Sequence, residues 1–217
     1  MQRYSLFARR GTYRILLVGL LALILLLWKG IWGIVPLLPV IALLLIYYYD
    51  PDRQLPSHPL GVMSPVDGTV TVADLSHDPF LQRPARRIRI RPCLFRVYHS
   101  RSPTEGKLME YWPQAPTRSR GYTDIRAAFW IQTDELDDLT VIISGTSVGG
   151  RPECAIQAGE RIGQGARFGR FPAFSRVDIL IDQNAYLNVQ PGQTVKAGID
   201  TLATFNHDEA LAQALGE

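Results

Sequence analysis

Residues 168–181 read FGRFPAFSRVDILI. Val177, Ile179 and Ile181 recur at every second position, the period of a strand with one face turned to a core. Gly169 and Pro172 break regular structure just upstream. Ser175 falls where the strand begins, between bulky Phe174 and basic Arg176. Outward from this stretch the same signal repeats. Short β-branched runs alternate with Gly, Pro and Asp turns at spacings of about 10–15 residues, as in an all-β barrel or sandwich. The pattern predicts strands at Gly68–Ala73, Arg87–Arg91, Phe95–His99, Gly106–Tyr111, Arg126–Gln132, Leu139–Ser144, Cys154–Gln157, Val177–Ile181, Gln193–Val195 and Thr201–Phe205. A short helix is expected at Asp208–Leu215.

The fold class expected for residues 60–217 is therefore all-β, a compact barrel or sandwich. Gly turns at Val66–Val70, Ala158–Gly163 and Gln190–Gly198 suit hairpins that need positive φ. They resemble the turns of biotinyl- and lipoyl-type domains. A carrier of that type would need a modified lysine at a hairpin tip. Lys196 is the nearest candidate and lacks the flanking hydrophobic residues.

The rest of the chain has a different character. Residues 1–49 hold five basic residues (Arg3, Arg9, Arg10, Arg14, Lys29) and no acidic ones. Their uncharged runs are Ile15–Trp28 and Ile31–Tyr49, and a span needs roughly 20 apolar helical residues. A transmembrane helical hairpin turning at Lys29–Gly33 is expected, ahead of a single tilted or re-entrant span and of a cleaved signal peptide. Trp28, Trp32 and Tyr47–Tyr49 suit the two interfaces, and the arginines keep the N-terminus cytoplasmic. A hairpin then leaves the β domain on the cytoplasmic side of the inner membrane. Residues 50–59, DPDRQLPSHP, read as a linker.

Net charge is +3 for 217 residues, but residues 50–217 carry 18 basic and 20 acidic side chains. The basic excess lies beside the apolar arm, which favours an anionic membrane surface over nucleic acid. Arg87, Arg89 and Arg91 alternate along one strand and share a face. They read either as a solvated face or as a patch for lipid headgroups. Cys93 and Cys154 have no metal spacing and fit a reducing compartment, with a single bridge left open.

Few residues offer chemistry. His58, His77 and His207 lie in linker or turn segments and read as solvated. His99 ends a strand pattern, where its ring can reach a cleft rim. Asp67 precedes Gly68 and could bond its own backbone in a turn. The acidic run Asp134–Asp138 reads as a solvated loop, and no metal is expected. Ser144–Gly150 is Gly-rich after a strand but lacks the lysine of a P-loop.

Three segments then stand out together, in order: Ser64–Val70 (SPVDGTV), Phe95–Pro103 (FRVYHSRSP) and Gly159–Ile181 (GERIGQGARFGRFPAFSRVDILI). They resemble the P-x-D-G, D-V-H-x-N-R-x-P and G-E-x-x-G-x-x-x-F-G-S-R-V-D segments of the phosphatidylserine decarboxylase proenzyme family, particularly its short membrane-anchored form. The resemblance implies a triad of Asp67, His99 and Ser175. It implies self-cleavage between Phe174 and Ser175 into a β chain (Met1–Phe174) and an α chain (Ser175–Glu217). Ser175 would become a pyruvoyl cofactor, and the substrate would be a membrane phospholipid, with phosphatidylethanolamine as product. A homo-oligomer stays open. The chain departs from the family at Phe174, where the family has Gly, and at Ser100, where it has Asn. The family's Asn-Glu-Arg segment has no counterpart near Tyr122–Ala128. A non-catalytic, membrane-tethered relative that binds lipid or a protein partner is the alternative.

Overall fold

A computed structural model describes residues 9–29, 35–48, 53, 55–56, 58–93, 99–113, 118–119, 122–145, 152–171 and 175–207. The chain divides into two units. One comprises Met1–Asp52 with Phe95–His99, the other Arg53–Leu94 with Ser100–Glu217.

The first unit contains helix α1 (Arg9–Lys29), a 3-10 turn (Val35–Leu37) and helix α2 (Leu38–Tyr48). Pro39 is tolerated in the first turn of α2, where its missing N–H has no helical partner to lose. In α1 the leucines at 16, 17, 20, 21, 23 and 27 are exposed, spread around the helix and not confined to one stripe. Such a surface is at home in an apolar medium. Yet among the described residues no helix is long and apolar enough to cross a membrane. This corrects the expected transmembrane hairpin. The uncharged stretch of α1, Ile15–Trp28, is 14 residues. That gives about 21 Å of helix, against a hydrocarbon core of about 30 Å. Helix α2 has 11 residues and is shorter still.

The second unit is built of antiparallel strands: β1 Gly61–Met63, β2 Gly68–Asp78, β3 Arg83–Pro92, β4 Ser100–Arg101, β5 Gly106–Trp112, β6 Arg118–Ser119, β7 Tyr122–Thr123, β8 Ile125–Gln132, β9 Asp138–Gly145, β10 Glu153–Cys154, β11 Arg161–Ile162, β12 Arg167–Arg170, β13 Ser175–Asp182, β14 Tyr186–Leu187, β15 Thr194–Val195 and β16 Thr201–Thr204. Eight form one sheet in the order β11-β5-β8-β9-β13-β3-β2-β15. Two three-stranded sheets, β1-β16-β14 and β10-β12-β4, and the pair β6-β7 complete it.

The strand read from VDILI is interior to the large sheet. β13 pairs with β9 on one side (Ile179 opposite Val141) and β3 on the other (Ile179 opposite Ile88). Val177, Ile179 and Ile181 enter the main core with Ile88, Ile90, Phe129, Val141 and Ile143. Phe168 and Phe171 join that core through Phe129, at ring-centroid distances of 4.8 and 5.9 Å. Leu180 points the other way, into a small second cluster with Ala85, Ala128 and Ile142. Phe80, from the β2–β3 turn, meets Trp112 over that cluster at 4.7 Å.

Several expected strands are longer or shorter than read. β2 runs past Ala73 to Asp78 because the β2–β3 hairpin continues as a paired ribbon, Asp74 opposite Arg87 and Asp78 opposite Arg83. The Asp78 side chain then accepts the amides of Phe80 and Leu81, closing the turn. The strand expected at Cys154–Gln157 stops at Cys154, and Gln157 to Glu160 forms a turn. β12 lies where the Gly and Pro of the opening stretch gave no strand signal. The expected strand at Phe95–His99 lies outside the described residues except for His99, which forms a bend. The expected helix at Asp208–Leu215 lies outside them altogether.

Candidate active site

Asp67 sits in the loop between β1 and β2. The loop is fixed by backbone bonds: Arg101 N to Pro65 O (2.9 Å), Cys93 N to Asp67 O (2.8 Å) and Gly198 N to Ser64 O (2.8 Å). Gly68 is required next to it, since a Cβ there would collide with the Arg91 carbonyl oxygen and come within 2.8 Å of Ile90 Cγ2. The Asp67 side chain is buried. It does not fold back on its own backbone, as an isolated Asp-Gly turn suggests. Its Oδ1 accepts the Ala197 amide (2.6 Å), and the Arg53 guanidinium straddles both oxygens, Nη1 to Oδ1 and Nη2 to Oδ2, at 2.7 Å each. Sequence reading missed Arg53, which lies in the proline-rich linker and belongs to no motif.

Ser175 opens β13 and is buried. Its cross-strand partner on β9 is Gly145. On the other side, Val177 stands opposite Ile90 of β3. Pro92, two residues beyond Ile90 on β3, is the partner of Gly68 on β2. Asp67, just before β2, and Ser175, at the start of β13, therefore lie toward the same end of β3, which β2 and β13 flank. Two inter-strand spacings amount to about 10 Å of backbone. Phe174, the other half of the expected cleavage bond, lies outside the described residues, as does the Gly-rich segment 146–150.

His99 is half-buried and belongs with the helical unit, whereas Asp67 and Ser175 belong to the β unit. The chain on both sides of its segment is tied to the Asp67 loop, through the Cys93 and Arg101 amides.

The other candidates resolve into ion pairs and staples. Arg87 pairs with Asp74 on the hairpin (2.7 Å). Arg89 pairs with Asp178 of β13, Nε to Oδ1 at 2.6 Å. Two of the three alternating arginines thus hold carboxylates of their own chain, and Arg91 is exposed. Burial pushes the Asp178 carboxyl above the ordinary range, and the hydrogen bond and charge of Arg89, backed by Arg87 and Arg176, pull only partly against it. His207 is not simply solvated, because its Nε2 meets Asp137 Oδ2 at 2.8 Å. His77 is half-buried on β2. His58 is exposed, and its backbone is stapled to the Gln164 amide group. In the acidic run, Asp138 accepts from Trp130 Nε1 (2.8 Å) and Gln132 Nε2 (3.0 Å), and Asp134 pairs with Arg161. Among the described residues no three His, Cys, Asp or Glu side chains cluster as a metal site would require. Both cysteines are free, which closes the bridge left open by the sequence. Burial pushes the Cys154 thiol up.

A family model described as phosphatidylserine decarboxylase matches residues 41–203. The chain is similar to the phosphatidylserine decarboxylase proenzyme of Nitrosomonas eutropha, 31% identical over 209 residues, covering 93% of this chain and 96% of that one. It is 28% identical to the corresponding proenzyme of Burkholderia vietnamiensis, over 92% of this chain and 96% of that one. Among solved structures, the glucose permease IIA from Mycoplasma capricolum matches 68% of this chain and 96% of its own, with TM-score 0.47 and 20% identity.

Proposed function

We propose that this chain, which belongs to the phosphatidylserine decarboxylase family, is a self-cleaving proenzyme whose Ser175 gives rise to a pyruvoyl group that decarboxylates phosphatidylserine. The observation that carries the reading is the shared end of the sheet, where the buried acid Asp67 and the buried hydroxyl Ser175 flank β3. In this reading His99 takes the proton of the Ser175 hydroxyl, with Asp67 as its orienting acid, the division of labour of a triad. The Ser175 oxygen attacks the Phe174 carbonyl carbon, and the peptide bond is exchanged for an ester. Loss of the Ser175 α-proton and breakage of its Cβ–Oγ bond release a β chain ending in the Phe174 carboxylate. Hydrolysis of the remaining dehydroalanine frees ammonia and leaves the pyruvoyl group.

Ser175 suits that group because of where it stands. It is the first residue of a strand paired on both sides, so the new terminus stays anchored from Arg176 onward after the cut. The pyruvoyl carbonyl supplies an electron sink as carbon dioxide leaves the substrate. In this reading His99 then returns a proton to the product carbon. The apolar helices hold the chain at the bilayer, and the β unit works at the cytoplasmic face of the inner membrane. A lipid substrate can then enter without leaving its leaflet.

A second reading, a non-catalytic relative, draws on two observations. Arg53 occupies the Asp67 carboxylate in a bidentate grip. In the H-x-N-R-x-P pattern the histidine stands five residues before the proline, whereas His99 stands four before Pro103 and Tyr98 fills the earlier place. The intact mass of the purified chain separates the two. Self-cleavage gives two chains split between Phe174 and Ser175, the smaller with a pyruvoyl terminus, and Ser175→Ala stays whole. A single uncut wild-type chain sinks the enzyme reading.

A further inference from the structure

Arg53 lies outside every motif that carries the family resemblance, yet it grips the carboxylate on which the proposed mechanism depends. Its side chain is 15% exposed and that of Asp67 only 2%. Nη1 also donates to Ala197 O at 3.0 Å, so the guanidinium and the Ala197 peptide enclose the carboxylate from two directions. A planar fork matched to a carboxylate fixes orientation as well as charge. Each carboxylate oxygen has two acceptor directions. Oδ1 has both filled, by Arg53 and Ala197, whereas Oδ2 holds one described donor and has room for one more. The linker is tied a second time two residues on. Leu55 lies against Gly165 and Gly198, where an added Cβ would come within 2.8 and 2.9 Å of its side chain.

We infer that Arg53 is a positioning residue of the site, holding the Asp67 carboxylate in one orientation so that the remaining acceptor direction of Oδ2 serves a single proton donor. The inference rests on the reading of Asp67 as the orienting acid. It makes the linker part of the reaction machinery. Freed from Arg53, the carboxylate can turn about its Cβ–Cγ bond, and the base it orients loses its alignment. A displacement of about 1 Å at such a place costs up to about 100-fold in rate.

The test uses the full chain in detergent micelles and two readouts. In the wild-type background, Arg53→Ala slows self-cleavage by about tenfold or more, Arg53→Lys by less, and added ethylguanidinium restores part of the Arg53→Ala rate. A merely structural arginine would not be replaced by a small guanidinium in solution. In the Ser175→Ala background, which stays whole whatever the enzyme does, the Ala197 amide proton resonance reports its contact with Asp67. Arg53→Ala moves that resonance and ethylguanidinium moves it back. Unchanged cleavage in Arg53→Ala, or slowed cleavage that ethylguanidinium leaves slow, overturns the inference. If the wild type never cleaves, the proposed function falls separately. The Ala197 resonance then decides: unmoved by Arg53→Ala it overturns the inference, moved and restored it upholds it.

Discussion

Arg87 and Arg89 stand two residues apart on one face of β3 and meet carboxylates in opposite environments. Asp74 is largely solvated, with 44% of its side chain exposed, and Asp178 is fully buried. An exposed pair is worth about 0–1 kcal/mol, so Arg87→Ala should shift stability by less than about 1 kcal/mol in urea unfolding. Arg89→Ala leaves a buried carboxylate without its partner and should cost about 3–5 kcal/mol. Equal costs would show that burial does not separate the pairs. Asp178 also makes stability depend on pH. Burial raises its carboxyl, so the folded chain binds that proton more tightly than the unfolded chain. Its contribution is full below the ordinary aspartate range of about 4 and falls as pH rises through the elevated folded value. The Tm advantage of the wild type over Asp178→Asn should therefore shrink between about pH 4 and pH 7. An advantage constant over that range would contradict the raised carboxyl. The alternation of Arg87, Arg89 and Arg91 was plain in the sequence. Which acid each meets was not, because Asp178 lies 89 residues from Arg89 and only strand register joins them.

At the scale of elements, β13 and the β2–β3 hairpin carry the site. The period-two signal of Val177, Ile179 and Ile181 was strong because the strand is interior and one face enters the main core. Short strands such as β4, β12 and β14 gave no such signal, since two to four residues cannot display a period. They exist because neighbours supply their hydrogen bonds, as Gly169 of β12 does between Ser100 and Cys154. Phe129 joins these elements, stacked on Tyr111 at 4.7 Å and edge-on to Phe168 at 4.8 Å. Phe129→Ala should cost about 3–5 kcal/mol in unfolding free energy. A loss under about 1 kcal/mol would mean that the aromatic group is not the core's anchor. Gly68→Ala should damage the fold by another route. Its Cβ meets backbone on β3, which cannot swing aside as a side chain can. Overpacking of that kind costs about 1–3 kcal/mol, and here the strain falls on the loop that presents Asp67. A Gly68→Ala chain as stable as the wild type would argue against this close approach.

For the molecule as a whole, the apolar arm and the β-rich part fall in different units, except that Phe95–His99 groups with the arm. Removal of residues 1–52 should abolish flotation of the protein with vesicles containing anionic lipid, and a truncated chain that floats like the full one would place membrane binding in the β unit. The sequence by itself determined the β class, the apolar arm, the position of Ser175 at a strand mouth and the family resemblance. Each of these is written in local order: alternation, a continuous apolar run, or a motif of neighbouring residues. The structure overruled the reading of that run as a pair of spans: α2 has only 11 residues, and among the described residues no helix is long and apolar enough to cross a membrane. Only the tertiary structure decided that Asp67 and Ser175 share one end of the sheet and that Arg53 closes on Asp67. Both facts depend on register across β3 and on contacts between distant parts of the chain. No local pattern encodes which residues such pairing brings together.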